Sequence, residues 1–157
     1  MLNTTLIHIE KDNKYLMLHR IKKENDINKD KWIGIGGKFL ENESPEECAL
    51  REAKEETGLT LNKLKYRGIV TFVNSVCQGE YMHLFTCNDF SGELKPCSEG
   101  VLEWVDKEKI YSLPIWQGDK IFLKLIDEDY PFFSLKLVYD GDILIKAILD
   151  SKELEFE

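Results

Sequence analysis

A glycine-rich loop that runs directly into an acidic helix, across residues 37–59, constrains this chain more than any other stretch. Gly34, Gly36 and Gly37 crowd together just after Trp32. The helix that follows carries its own start and stop signals. Ser44 is a good N-cap and Glu47 stands three residues on, which makes a capping box. Pro45 takes the first helical position, where its missing N–H costs nothing. Gly58 suits the left-handed residue that closes a helix. These signals predict a helix from Pro45 to Thr57.

With side chains placed at about 100° per residue and Glu52 at the origin, Glu55 falls at roughly −60° and Glu56 at roughly +40°. The three carboxylates therefore share one face. Ala49, Leu50, Ala53 and Thr57 form a narrow apolar stripe beside it, and small Cys48 leaves the carboxylates uncrowded. For a bare helix this is a poor arrangement. Glu52 repels both Glu55 and Glu56, and all three sit near the negative end of the helix dipole. The combined penalty is on the order of 1–3 kcal/mol. A hard divalent cation with oxygen ligands would offset it, because Mg²⁺ is held by a few carboxylates together with phosphate oxygens and water. A solvated acidic face is the plainer reading of clustered glutamates, and the helix alone does not decide between the two.

The flanking loop and the spacing do. The segment resembles the Nudix box, G-x5-E-x7-R-E-U-x-E-E-x-G-U with U apolar. Gly37, Glu43, Arg51, Glu52, Glu55, Glu56, Gly58 and Leu59 fill its fixed positions, and Ala53 takes the first U. The resemblance implies an α+β protein, an α/β/α sandwich with a mixed central sheet. It also implies hydrolysis of a nucleoside diphosphate linked to a further group, with Mg²⁺, or Mn²⁺ in its place.

The rest of the sequence agrees with a single domain spanning 1–157. Strand-like segments are expected at Thr4–Glu10, Tyr15–Arg20, Trp32–Ile35, Lys65–Asn74, Glu80–Asn88, Val101–Val105, Phe132–Tyr139 and Ile143–Leu149. Ser75–Gly79 reads as the turn of the long central pair, and Asp140-Gly141 as a hairpin turn. Asp106–Ser112 reads as a short helix or turn. A second amphipathic helix opens after Pro114 and runs to about Ile126, with Ile121, Phe122 and Leu125 at core spacing. Trp104 is expected to be buried; His8 and His19 are expected to pack within their strands. Ile21–Lys31 is a polar loop, either a surface connection or a lip over a bound nucleotide.

A net charge of −8 argues against a nucleic-acid binder with a basic footprint. An anionic substrate would meet a repulsive field, which again asks for metal ions and locally placed Lys or Arg. Cys48, Cys77, Cys87 and Cys97 form no C-x-x-C pair and show no zinc spacing, so reduced thiols in a cytoplasmic protein are expected. No signal peptide or membrane-length apolar run is apparent. Monomer and homodimer both remain open.

The Nudix resemblance also carries residue roles. It implies Glu52, Glu55 and Glu56 as metal ligands, with the backbone carbonyl of Gly37 beside them. Glu52 is the favoured proton acceptor from the attacking water. Arg51 is expected to pair with Glu43 as an orienting contact. Glu99, just before the strand at Val101, matches the position where the family often adds a further carboxylate for metal or base duty. Lys38 and Arg20 are candidates for phosphate contacts. Read from the residues alone, Phe72, Tyr81 and Phe85 are strand aromatics of the core, one or two of which could form a wall for a base.

Beyond the box, Trp32–Lys38, Glu99–Trp104, Trp116–Asp119 and Pro131–Asp142 are similar to bacterial MutT-type 8-oxo-dGTP diphosphatases. This implies hydrolysis of 8-oxo-dGTP to 8-oxo-dGMP and pyrophosphate. Trp116 and Asp119 match two of the residues that grip the purine in the related mammalian enzyme. Gly118 stands where that enzyme has a further Asp, and Ile33 where it has an Asn. The open alternatives are a Nudix hydrolase of ADP-ribose, dinucleoside polyphosphates or another nucleotide, and a nucleotide-sensing domain without turnover.

Overall fold

The computed structural model describes residues 1–156. Their strands are β1 (Leu2–Lys11), β2 (Lys14–His19), β3 (Trp32–Ile33), β4 (Thr60–Asn74), β5 (Cys77–Ser91), β6 (Val101–Asp106), β7 (Phe133–Asp140), β8 (Ile143–Leu149) and β9 (Lys152–Leu154). Their helices are α1 (Pro45–Thr57), α2 (Lys107–Ile110) and α3 (Gln117–Asp127). The strand order is β3-β2-β1-β5-β4-β7-β8-β9, with β6 on the other side of β2. β1 lies parallel to β5 and β4 parallel to β7, while the remaining pairs are antiparallel. The sheet is therefore mixed.

Alternation along β1 explains the layers. Ile7 and Ile9 point to one face and join Ala49 and Ala53 of α1 with Leu59 and Phe85 in one buried cluster. Leu6 points to the other face and joins Phe122, Leu123 and Ile126 of α3 with Val70, Leu135 and Tyr139. A helix thus covers each side, the α/β/α arrangement that the resemblance implies. Among the described residues, no helix is long and apolar enough to cross a membrane.

The feature that builds the site is the divergence of β1 and β2. They pair only at their turn, at Glu10↔Tyr15 and Lys11↔Lys14, and β2 then leaves to pair with β6 and β3. The glycine loop takes the vacated edge of β1. Thr5 N–H donates to the Gly37 carbonyl (2.9 Å), and Ile7 and Ile35 exchange both backbone bonds. The approach is close: a Cβ on Gly36 would lie 1.9 Å from the Thr5 carbonyl oxygen. Only glycine lets this backbone sit against the strand.

Several expected boundaries shift. The central turn is Ser75-Val76, because Asn74 and Cys77 pair. Asn74 organises it, accepting from Val76 N–H and donating to the Gly141 carbonyl, so the polar residues that read as turn enter the ladder. β4 begins five residues earlier than its alternation suggests, and a short ninth strand follows Asp150 and Ser151, both at positive φ. Trp104 is half-buried, stacking on Phe90 where both pack against the margin of the core. In α3 the buried apolar side chains are Phe122, Leu123 and Ile126, with Ile121 and Leu125 at the margin.

Candidate active site

Helix α1 forms where its caps predict. The Ser44 side chain accepts from Glu47 N–H (3.1 Å), the Glu47 carboxylate accepts from Ser44 N–H (2.9 Å), and Gly58 closes the helix at φ 82°. Its buried side is rotated from the expected stripe. Cys48, Ala49, Ala53 and Thr57 are buried, while Leu50 is exposed. The cause is the glycine loop, which covers the helix beside Cys48. The Cys48 thiol contacts the Gly37 carbonyl and the Thr5 hydroxyl, both at 3.6 Å.

Arg51 organises the acidic face. It grips Glu43 with two N–H groups (2.7 and 2.9 Å) and donates to Glu52 (2.8 Å), to Glu55 (3.1 Å) and to the Lys38 carbonyl (3.0 Å). The guanidinium, followed by the Leu40 N–H, holds the Glu43 carboxyl down at about 2. This bidentate pair is the expected one. Arg51 also relieves part of the Glu52–Glu55 repulsion, so that portion of the helix penalty is offset within the chain.

Glu56 is treated differently. It accepts from Gly36 N–H (3.0 Å) and hydrogen-bonds Glu99. Burial first, then Glu99, pushes its pKa up to about 9. Burial works against the Glu99 anion, yet Glu56 together with the charges of Arg20 and Lys23 holds its pKa below the usual range. Glu56 therefore keeps the shared proton and Glu99 the charge. Like-charged carboxyls in contact cannot both ionise cheaply.

These groups line one cavity of about 550 Å³. At one end stand Gly37, Lys38, Glu52, Glu56 and Glu99, with Arg20 and Lys23; at the other stand Asn28, Ile33, Phe72, Trp116 and Asp119. Of the residues singled out in the sequence, Glu43, Arg51 and Glu55 lie outside it. Glu55 is exposed on the outer side of α1, and Glu43 and Arg51 buttress the wall. Arg20 is largely committed, through Nε to Asp26 (2.8 Å) and through Nη1 to Glu99 (3.6 Å). Lys38 is exposed at the rim, where its charge acts on half-buried Glu80.

Trp116 is buried at the far end. Its ring meets Phe72 and Tyr139 edge-on, at 5.4 and 5.0 Å between centroids, and the Lys31 ammonium lies 4.3 Å from its centre. Its indole N–H donates to Asn28 Oδ1 (2.7 Å). Asp119 is 7% exposed, and burial pushes its pKa up to about 8 against the opposing charge of Lys31. Gly118 is packed too tightly for a side chain. A Cβ there would lie 2.4 Å from Leu137 Cδ1 and 2.6 Å from the Tyr139 oxygen, which accepts the Gly118 N–H.

Sequence reasoning did not single out Asn28, Lys31, Lys23 or Glu80. The first three lie on the polar Ile21–Lys31 loop, whose composition gave no means of ranking one residue above another.

The profile of the Nudix domain matches residues 2–126. The chain belongs to the Nudix hydrolase family. Among its relatives, the zebrafish (Danio rerio) oxidized purine nucleoside triphosphate hydrolase is 29% identical over 133 residues, covering 83% of this chain and 85% of that protein. The mouse (Mus musculus) protein of the same name is 27% identical over 129 residues, covering 81% and 82%. The crystal structure of a mutator MutT protein from Bacillus halodurans superposes with a TM-score of 0.84 at 26% identity, covering 96% of this chain and 98% of that one.

The family generally needs a divalent metal. Among the described residues no three acidic, His or Cys side chains converge on one point. Glu52 is turned to Arg51, and Glu56 to Gly36 and Glu99. The donor set nevertheless fits such an ion. A Cβ on Gly37 would lie 2.6 Å from the Glu52 carboxyl carbon, so glycine at this position is what lets the Glu52 carboxylate lie against the loop backbone. Glu56 and Glu99, in contact and sharing one proton, add oxygen donors, and a cation between them would let both ionise. Hard oxygens in excess are what Mg²⁺ prefers.

Proposed function

We propose that this Nudix hydrolase is a pyrophosphohydrolase of oxidised purine nucleoside triphosphates that uses Mg²⁺ or Mn²⁺ and converts 8-oxo-dGTP and water to 8-oxo-dGMP and pyrophosphate. The observation that carries the reading is the division of one cavity. A cluster of carboxylates occupies one end, and an aromatic wall with a buried carboxyl occupies the other. The named substrates of the zebrafish and mouse relatives support the same class.

Glu52, Glu56, Glu99 and the Gly37 carbonyl would hold the ion, with Glu55 an outer partner tied to them through Arg51. When bound, it supplies charge neutralisation and polarises phosphoryl oxygens. Lys38 and Lys23 flank the path of the polyphosphate, with Arg20 behind them. Glu52, steadied by Arg51, takes the proton from the attacking water. Arg51 and Glu43 act as positioning residues, holding the helix face in register with the glycine loop. At the far end Trp116 and Phe72 bound the base, and Asp119 accepts from a ring N–H.

The test is a comparison of kcat/KM with Mg²⁺ for 8-oxo-dGTP, dGTP, ADP-ribose and diadenosine polyphosphates. 8-oxo-dGTP is expected to lead. A higher value for ADP-ribose or a dinucleoside polyphosphate, or no discrimination against dGTP, would overturn the assignment.

A further inference from the structure

We propose that Asn28 is a specificity-determining residue, its side-chain N–H₂ donating to the 6-oxo group of the purine; this rests on the proposed function above. The orientation of its amide follows from chemistry. Indole N–H is only a donor, so the atom that meets Trp116 Nε1 at 2.7 Å must be the amide oxygen. The NH₂ is left to face elsewhere, and Asn28 lines the cavity beside Ile33, Phe72 and Asp119.

The residue is held in place on both sides. Its own N–H donates to Asp26 Oδ1 (3.0 Å), and its carbonyl accepts from Lys31 N–H (2.8 Å). Asp26 is gripped in turn by Arg20 (2.8 Å), and Arg20 exchanges backbone bonds with Lys31 and Asp30. A donor on a loop tied down at this many points is pre-organised, so little rotamer entropy remains to be lost on binding. The Ile33 side chain offers no polar atom, which leaves Asn28 and Asp119 as the polar side chains among Ile33, Phe72 and Trp116 at this end.

The match to the base is one of donors and acceptors. In 8-oxoguanine, O6 is an acceptor flanked by N1–H on one side and N7–H on the other. Whichever edge faces Asp119, O6 has two lone pairs, so a carboxyl pairing with that edge still leaves one for a neighbouring donor. A 6-amino purine would set its N–H₂ against that of Asn28. Sites built to hydrogen-bond a substrate group discriminate strongly against analogues that lack it.

The decisive experiment measures kcat/KM for 8-oxo-dGTP and for the corresponding 8-oxo-2,6-diaminopurine deoxynucleoside triphosphate, which carries an amino group at C6. Wild type, Asn28→Asp and Asn28→Ala are compared, with folding checked by thermal denaturation. Asp retains the acceptor for Trp116 and loses the donor. Wild type is expected to favour the 6-oxo substrate at least tenfold, and Asn28→Asp to cut that ratio at least tenfold; Asn28→Ala should lower the same ratio. Equal losses on both substrates, or an unmoved ratio in both variants, would overturn the role of Asn28 alone. A wild-type enzyme with no preference for 8-oxo-dGTP over dGTP would instead overturn the reading on which it rests.

Discussion

At the scale of single residues, the site separates carboxylates that share a helix face into different environments. Glu52 meets a guanidinium, Glu56 meets a backbone N–H and a second carboxyl, and Glu55 reaches solvent. A graded response to amide substitution follows. Glu56→Gln keeps an oxygen for the Gly36 N–H, so the fold should survive while kcat falls on the order of 10²–10³-fold, the scale of a lost electrostatic partner in an active site. Glu52→Gln should behave alike. Glu55→Gln, outside the cavity, should cost roughly 10-fold, the scale of an outer partner. Single-turnover rates at saturating Mg²⁺ would check the order, and a Glu55 effect as large as that of Glu56 would contradict it. The box residues were legible in the sequence because their spacing is fixed and most of them fall on one capped helix. Asn28 and Lys31 were not, because a loop position acquires its role only from what lies across the cavity.

At the scale of elements, α1 depends on its two ends. Ser44→Ala removes the acceptor for the Glu47 N–H and should cost about 1 kcal/mol, lowering Tm by about 2–4 °C for a domain of this size. Gly58→Ala forces a Cβ into the left-handed region, where it would also lie 2.8 Å from the Glu93 carbonyl oxygen; about 1–2 kcal/mol is expected from the conformation alone. Scanning calorimetry of both variants and their double would show near-additive losses, since the ends of the helix are far apart. Start and stop of this helix were readable because both signals are local. Its buried side was not: Cys48 is interior and Leu50 is not, because a second layer, the glycine loop, packs on a face that a helical wheel treats as free.

At the scale of the whole molecule, His8 is buried where the sheet meets α3. Its ring lies 5.4 Å from Tyr15 and 5.9 Å from Phe122, and its Nδ1 has no hydrogen-bond partner among the described residues. Burial lowers its pKa to about 4. The unfolded chain takes up a proton below about 6.5, whereas the folded chain resists until about 4. The contribution is therefore intact above 6.5 and is lost as pH falls through that window, by about 3 kcal/mol in all. Urea denaturation at steps from pH 7 to pH 4 should show a shallower decline for His8→Leu than for the wild type; parallel curves would refute the assignment.

What the sequence determined by itself was local in origin. The capped helix, the spacing of its carboxylates, the Arg51–Glu43 pair and the alternation of the main strands all arise from interactions within a few turns or from a fixed period. Tertiary structure decided what those elements enclose. The parting of β1 from β2 opened an edge for the glycine loop, and that loop placed Glu52 and Glu56 in a cavity with Trp116 and Asp119, far away along the chain. Such meetings depend on strand pairing and packing between distant segments, for which no residue carries a local signal.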